Sequence, residues 1–275
     1  VIKPGTHTLR IRYWVKDVAT NIEGTITKII PSHTFAKNEY VNMEADLQIK
    51  NYDGDHYYMW DAQKQYWYGY EWTKHLSGNT GQPTLNGSSS SNYAQSNSDV
   101  SRWHNEYYPG YGVSNPATHS SCKDLPNANE MSWYCMHVPH WDADELWTTM
   151  GHLYKGGMWF KKKSVLLAEG NYNTEKSADG TTDLRTSYKD YTNGNRSINN
   201  SGLPSAADAG NYFYLPALGY YYYGQLYDVG YSGFYWSSSA YPSGTSSAYT
   251  LNFSSGGVTV YNDLGVHGYR VEAFQ

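Results

Sequence analysis

The sequence predicts an α+β fold preceded by a short all-β segment, and three observations carry that prediction. The first 50 or so residues alternate apolar and polar side chains at period two. Two stretches further on place apolar residues at helical spacing behind capping residues. The last third returns to period two around a Gly-rich turn. At 275 residues the chain is long enough for two ordinary domains. The pattern divides it into a β-strand segment, residues 1–50, and a larger α+β domain, residues 51–275.

In the first segment, "THTLRIRYWVKDV" sets Leu9, Ile11, Tyr13 and Val15 against Arg10, Arg12 and Trp14, the alternation of a half-buried strand. "GTITKIIPSHTF" and "NEYVNMEADLQIKNY" read the same way. The aromatic block "YYMWDAQKQYWYGYEW", Tyr57 to Trp72, has no helical stripe and suggests strands opening the second domain. Residues 77–101 are Ser, Asn and Gly with almost nothing apolar to bury, which predicts a surface loop or a disordered excursion.

The first helix is expected at "WDADELWTTMGHLYKGG". Asp142 can cap it, with Glu145 three residues on; Leu146, Trp147, Met150, Leu153 and Tyr154 make an apolar face, and Gly156-Gly157 stop it. A second, shorter helix is expected at "LPSAADAGNYFYLPAL", with Pro204 in its first turn. Beyond Gly219 nothing reads as helix. Tyr249, Leu251 and Phe253 alternate in "AYTLNF", "SSGG" turns, Val258 and Val260 resume, "YNDLGVHG" loops and "YRVEAF" closes a small antiparallel sheet.

Composition narrows the function classes. Twenty Lys+Arg against 25 Asp+Glu give a net charge of -5, which disfavours nucleic acid as a partner. No apolar run approaches the roughly 20 residues of a membrane helix. Val1 is not a start residue, so any export signal is expected outside this chain. Cys122 and Cys135 could close one disulfide in an exported protein or remain two buried thiols. Thirty Tyr and 10 Trp accompany only 6 Phe, so the aromatic surface carries polar tips, as wet recognition surfaces do.

Candidate chemistry is sparse. There is no G-x-S-x-G, phosphate loop or dinucleotide fingerprint, and no serine has a His and Asp arrangement to activate it, so no catalytic residue is assigned and the chain is not read as an enzyme. His137 and His140 stand near Asp142, Asp144 and Glu145. Their spacing matches no zinc pattern and helix capping accounts for the acids, so neither metal nor cofactor is expected. Lys161, Lys162 and Lys163 read as a solvated strand end.

The informative stretch is residues 219–267. Tyr220, Tyr221, Tyr222, Tyr223, Tyr227, Tyr231 and Tyr235 are interleaved with Gly, Ser and Asp, close to the composition of antibody binding loops. Four consecutive tyrosines cannot all enter one core, since strand neighbours face opposite sides. Some must be exposed, and clustered exposed aromatics mean binding. The expected ligand-binding set is Tyr220, Tyr221, Tyr222, Tyr223, Tyr227, Asp228, Tyr231, Ser232, Phe234, Tyr241, Ser246, Ser247, Tyr249, Tyr261, Asn262, Asp263, Leu264, Val266 and His267, with strand packing a competing reading for Tyr249.

Four landmarks carry a family resemblance: "LPSAADA", the "GFYWSSS" run centred on Trp236, the "AYTLNFSSGGV" hairpin and the closing "GYRVEAF". With them the chain resembles the C-terminal module of the formylglycine-generating-enzyme-like branch of the C-type lectin fold. More specifically it is similar to the variable proteins of diversity-generating retroelements, in which template adenines are mutated so that Asn codons become many other residues. The resemblance spans residues 57–275, strongest from Cys122 onward. It implies a C-type lectin fold with two helices and a small antiparallel sheet. The strands of residues 1–50 resemble the end of a fimbrillin domain, as in type V pili of gut bacteria, whose tip subunits can carry such modules.

Adenine mutagenesis of AAC reaches Tyr, Ser, Phe, Leu, Val, Asp, His, Asn and Gly but not Gln, Trp or Glu. Residues 261–267, Tyr220 to Tyr223, Tyr227, Asp228, Tyr231, Ser232 and Phe234 are all reachable; Gln225, Trp236 and Glu272 are not and would be scaffold. The sulfatase-modifying enzymes of the fold need C-terminal cysteines absent here. The calcium-binding tripeptides of sugar-binding lectins are absent too, the nearest being "QPT" at Gln82. The resemblance therefore implies a non-catalytic, extracellular adhesin, at a pilus tip or cell surface, that contacts a protein or glycan receptor and, on a pilus, other pilin subunits. The alternative is a phage receptor-binding protein with the same module.

Overall fold

The computed structural model describes residues 2–42, 46–74, 76, 81–83, 87–194 and 203–275. In chain order the strands and helices are β1 (Gly5–Lys16), β2 (Glu23–Phe35), β3 (Lys50–Tyr52), β4 (Tyr57–Tyr58), α1 (Ala128–Met136), β5 (His140–Thr149), β6 (His152–Lys161), α2 (Lys163–Ala168), β7 (Tyr191–Gly194), β8 (Tyr212–Pro216), β9 (Leu218–Tyr222), β10 (Gln225–Val229), β11 (Ser232–Ala240), β12 (Ser247–Ser254), β13 (Gly257–Leu264) and β14 (Tyr269–Arg270). The chain divides into two compact units, Val1–Tyr52 with Leu146–Tyr154, and Asp53–Glu145 with Lys155–Gln275.

In the first unit β1 and β2 pair antiparallel from Gly5 opposite Phe35 to Lys16 opposite Glu23, with one irregularity between His7 and Leu9. Leu9, Ile11, Tyr13 and Val15 lie on the half-buried face and Arg10, Arg12 and Trp14 on the exposed one, as the alternation dictates. The turn after β1 is fixed by Asp17, whose carboxylate accepts the amides of Ala19 and Leu153, each at 2.8 Å. The Leu153 amide is the main reason the Asp17 carboxyl is lowered to about 2, with burial opposing and His152 and the nearer amides assisting. β3 runs parallel to β5, Lys50 opposite Trp147. Of the third expected strand only Lys50–Tyr52 forms among the described residues; residues 43–45 lie outside them.

The second unit is built on an eight-stranded mixed sheet in the order β10-β9-β11-β12-β13-β7, with β14 beside β11 and β4 beside β14. Both faces are covered. Along β11, Tyr235 points into a cluster with Leu251, Phe253, Val258, Val260 and Met131 of α1, while Phe234 and Trp236 point into another with Trp60, Ala248 and Tyr269. Cys135 belongs to the first cluster and Cys122 to the second; both are free thiols, pushed by burial up to about 12. Arg270 is buried too, its Nη1 donating to the Asp53 carbonyl at 3.0 Å and its guanidinium over the Tyr57 ring.

The fold class is therefore corrected. Strand makes up 38% of the chain and helix 8%, so this is a β-rich fold and not the α+β C-type lectin fold that the sequence and its resemblance implied. Neither expected helix forms. Residues 140–161 are the β5–β6 hairpin, closed by Met150 and Gly151 with φ of 51° and 79°, the doubly left-handed geometry of a tight two-residue turn. The apolar residues from Leu146 onward suit period 3.6 and period two alike. The run Trp147-Thr148-Thr149, aromatic and β-branched, decides for strand, with Trp147 and Thr149 buried. Asp142 does accept the amides of Asp144 and Glu145, at 2.9 and 3.0 Å, but inside an irregular strand rather than at a helix end. At residues 203–218 only a 3-10 turn, Ala209–Asn211, precedes β8, which pairs with β6 from Lys161 opposite Tyr212 to Gly157 opposite Pro216.

The helices that do form were legible only locally. Asn127 and Glu130 make a reciprocal capping box for α1, Glu130 N donating to Asn127 Oδ1 at 3.0 Å and Asn127 N to Glu130 Oε2 at 2.8 Å. α2 follows Lys162, within the basic run. Lys161 pairs with Glu169 at 2.7 Å and Lys163 with Glu130 at 3.3 Å, so the run is tied to the surface rather than free. Two further expectations change. Residues 57–72 form one short strand, Tyr57–Tyr58, and then turns. Residues 77–101, by contrast, form a surface loop without strand or helix where described, anchored by buried Gln82, Ser90 and Ala94, while 77–80 and 84–86 lie outside the described residues. In the last third β13 continues to Leu264, so Tyr261 to Leu264 are strand where a loop was expected.

Candidate ligand-binding face

The β9–β10 hairpin sorts the four consecutive tyrosines by side. Its pairing sets Tyr220 opposite Tyr227 and Tyr222 opposite Gln225, across the turn Tyr223-Gly224. Gly224 sits at φ 71°, where a Cβ would come within 2.1 Å of the Ser90 carbonyl, so the turn admits only glycine. Tyr221 points inward against Tyr57, Tyr66 and Trp67, with ring centroids 5.0 to 5.4 Å away, and is 1% exposed. Tyr220 and Tyr222 point the other way and are half-buried; Tyr223, in the turn, is 56% exposed.

On that outer side the tyrosines meet the end of β13 and the loop after it. The Tyr220 ring lies 5.6 Å from Tyr227, 5.6 Å from Tyr269 and 4.4 Å from Phe234, and Tyr222 meets His267 edge-on at 4.9 Å. Asp263 is the polar hub. It accepts from the hydroxyls of Tyr269 at 2.5 Å and Tyr261 at 3.1 Å, and from His267 Nδ1 at 3.0 Å. Burial works against its charge, but the bonds from His267 and Tyr269 outweigh burial and hold the carboxyl below its usual value. Burial, then the Asp263 carboxylate, push the Tyr261 hydroxyl up to about 12 and that of Tyr269 further. These phenols stay protonated at neutral pH. They donate and accept hydrogen bonds and are the opposite of activated nucleophiles.

Of the expected set, the structure brings together Tyr220, Tyr222, Tyr227, Tyr261, Asp263 and His267, with Tyr223 exposed beside them. Asp228 adjoins this group, since its charge raises the Tyr220 hydroxyl after the larger effect of burial. Leu264 is exposed and Asn262 and Val266 half-buried on the neighbouring stretch. Tyr231, 75% exposed, and Ser232 lie past the β10 end, Ser232 opposite Ser254. Tyr241 rests on Tyr188 and Tyr249, apart from the cluster. Ser246 is exposed and its carbonyl accepts from Gly265 N at 2.7 Å, and Ser247 lies opposite Leu264.

Three expected contacts are corrected. Tyr221, Phe234 and Tyr249 are buried and belong to the scaffold, Tyr249 with its hydroxyl accepting from Lys189 N at 3.2 Å. Period-two facing, applied residue by residue, would have separated Tyr221 from Tyr220 and Tyr222. Sequence reading missed Tyr269, Asn252, which donates to the Tyr261 hydroxyl at 3.4 Å, and the Ser-rich tract: Ser90 N bonds to the Gly224 carbonyl, and Tyr93 stacks on Tyr66 and meets Tyr223. The Ser-rich tract is distant in sequence and carries no local signal, whereas Tyr269, two residues beyond His267 in the closing strand, and Asn252, on the strand paired with β13, lay within reach of the period-two pattern.

The residues weighed for metal are otherwise engaged. His137 bonds through Nδ1 to the Trp133 carbonyl and stacks on its ring, His140 is buried against Tyr212, and Asp142 accepts from the Trp159 indole at 3.0 Å. Among the described residues no group of three or more His, Cys, Asp or Glu side chains is placed to hold a metal ion. Among them, too, no helix is long and apolar enough to cross a membrane.

A family model described as a domain of unknown function (DUF8237) matches residues 184–274, which include β7 to β14 and the whole aromatic face. No curated protein and no solved structure matches the chain.

Proposed function

We propose that the chain is a non-catalytic, ligand-binding adhesin of a bacterial cell surface or pilus, whose β-rich second unit presents a diversified, Tyr-rich face to a protein or glycan receptor. The observation that carries this reading is the division of one aromatic run into a buried member, Tyr221, and outward members, Tyr220, Tyr222, Tyr223 and Tyr227, gathered with Tyr261 and His267. Tyrosine supplies rigid contact area and a hydrogen-bonding tip at low entropic cost. A retroelement acting through adenine changes would exchange such positions while leaving the core untouched.

The test is the simultaneous change Tyr222→Ala, Tyr227→Ala and Tyr261→Ala, read as retention of a panel of epithelial and bacterial cells by the immobilised full chain. Truncation of central aromatic contacts costs about 2 kcal/mol or more each, so retention of a cell type that the native chain holds is lost while the thermal unfolding transition remains. Retention by a folded triple variant equal to that of the native chain would overturn the reading.

A further inference from the structure

A cavity of about 260 Å3 lies outside the aromatic cluster, lined among others by Asn97, Trp103, His104, Glu106 and His119. Its floor is preorganised. Asp61, its side chain fully buried, accepts the amides of Thr118 and His119 at 2.7 to 3.0 Å and the Asn105 side chain at 2.9 Å, so its charge is spent on holding His119 and Asn105 in place. The Trp103 indole donates to Glu106 Oε1 at 2.5 Å and its ring leans on His104, which fixes a half-buried aromatic surface. Asn97 reaches Glu106 Oε2 at 3.4 Å.

The lining itself indicates what such a site takes. His104 has a side chain only 4% exposed and its Nδ1 faces Gly265 rather than the cavity, so the ring serves as the wall behind Trp103. Burial, only partly opposed by Glu106, lowers the His104 pKa and keeps the imidazole neutral, so it offers no cation to an anionic ligand. What remains is an aromatic surface beside planar groups with spare capacity: the exposed Glu106 carboxylate, the Asn97 amide and the His119 ring. An uncharged ring with apolar C–H faces and hydroxyls around its edge satisfies all of them.

We infer that this cavity is a second binding site, separate from the aromatic face, and that it takes a neutral monosaccharide unit of a glycan.

Saturation-transfer NMR of the full chain with glucose, galactose, mannose, N-acetylglucosamine and, as the charged comparison, N-acetylneuraminic acid, each at about 10 mM, tests it. At least one neutral sugar receives saturation, with a dissociation constant of about 1 mM, and the acidic sugar does not. Trp103→Ala and Glu106→Ala each weaken the signal at least about tenfold, and Trp14→Ala, at an exposed aromatic of the first unit, leaves it unchanged. Glu106 is 47% exposed, so its variant stays folded even where Trp103→Ala does not. Absence of transfer to every neutral sugar, transfer that survives Glu106→Ala in folded protein, or equal transfer to the acidic sugar would overturn the assignment. The two readings fail separately, because sugar transfer that survives Glu106→Ala counts against the cavity alone, and cell retention that survives the tyrosine triple variant counts against the aromatic face alone.

Discussion

At the scale of single residues, neighbours in sequence do opposite work. Tyr221 and Tyr223 are two positions apart in one aromatic run, yet the first is enclosed by Tyr57, Tyr66 and Trp67 and the second is 56% exposed in a turn. Tyr221→Ala is expected to cost about 3–5 kcal/mol, the range for deleting a buried aromatic side chain. Tyr223→Ala is expected to change stability by no more than about 0.5 kcal/mol. Urea unfolding of the two variants measures the contrast, and equal losses would mean that the hairpin does not face as described. The sequence made the need for exposed tyrosines legible, because four cannot enter one core. Which of the four turns inward depends on Tyr57 and Tyr66, more than 150 residues away, and no local pattern encodes it.

Among elements, the β5–β6 hairpin shows how one segment satisfies two periodicities. The acidic residues after Trp141 resemble a helix start, but Asp142 turns its carboxylate on two strand amides, and Met150 with Gly151 makes the left-handed turn that a hairpin needs. A discriminating substitution follows. Met150→Asn creates the Asn-Gly pair that such turns favour and is expected to raise stability by up to about 1 kcal/mol by relieving a non-Gly left-handed residue. In a helix interior the same change would lower it. Thermal or urea denaturation reads the sign. The helix α1 had its signature in Asn127 and Glu130, a capping box before a short apolar run; it was overshadowed by the longer acidic start after Trp141. The β1–β2 ribbon was legible because its alternation is strict along β1 and holds in β2 from Glu23 to Ile30, giving way only at the exposed run Pro31 to Thr34.

For the whole molecule, carboxylates held ionised in each unit set the acid limit of stability. Asp17 is lowered to about 2, chiefly by the Leu153 amide. Asp183 is also lowered to about 2, where burial is outweighed by bonds from Arg185 and Asn129. With the folded value below the unfolded one of 3.8, the unfolded chain binds more protons in that window. The stabilisation is present above about pH 4 and is lost as pH falls toward 2. Unfolding free energy measured between pH 6 and pH 2.5 is expected to fall in that interval, and to fall less steeply in Asp17→Asn and Asp183→Asn. An unchanged slope would show that these bonds do not persist in solution.

The central claim, that a fixed β-rich scaffold carries an exchangeable aromatic face, is tested most directly by sequencing copies of this gene from related strains. The account predicts substitutions concentrated at Tyr220, Tyr222, Tyr223, Tyr227, Asp228, Asn262 and Leu264, half-buried or exposed positions, with Tyr221, Tyr235, Trp236 and Tyr249 unchanged. Substitutions spread evenly over buried and outward positions, or absent from residues 219–267, would contradict it.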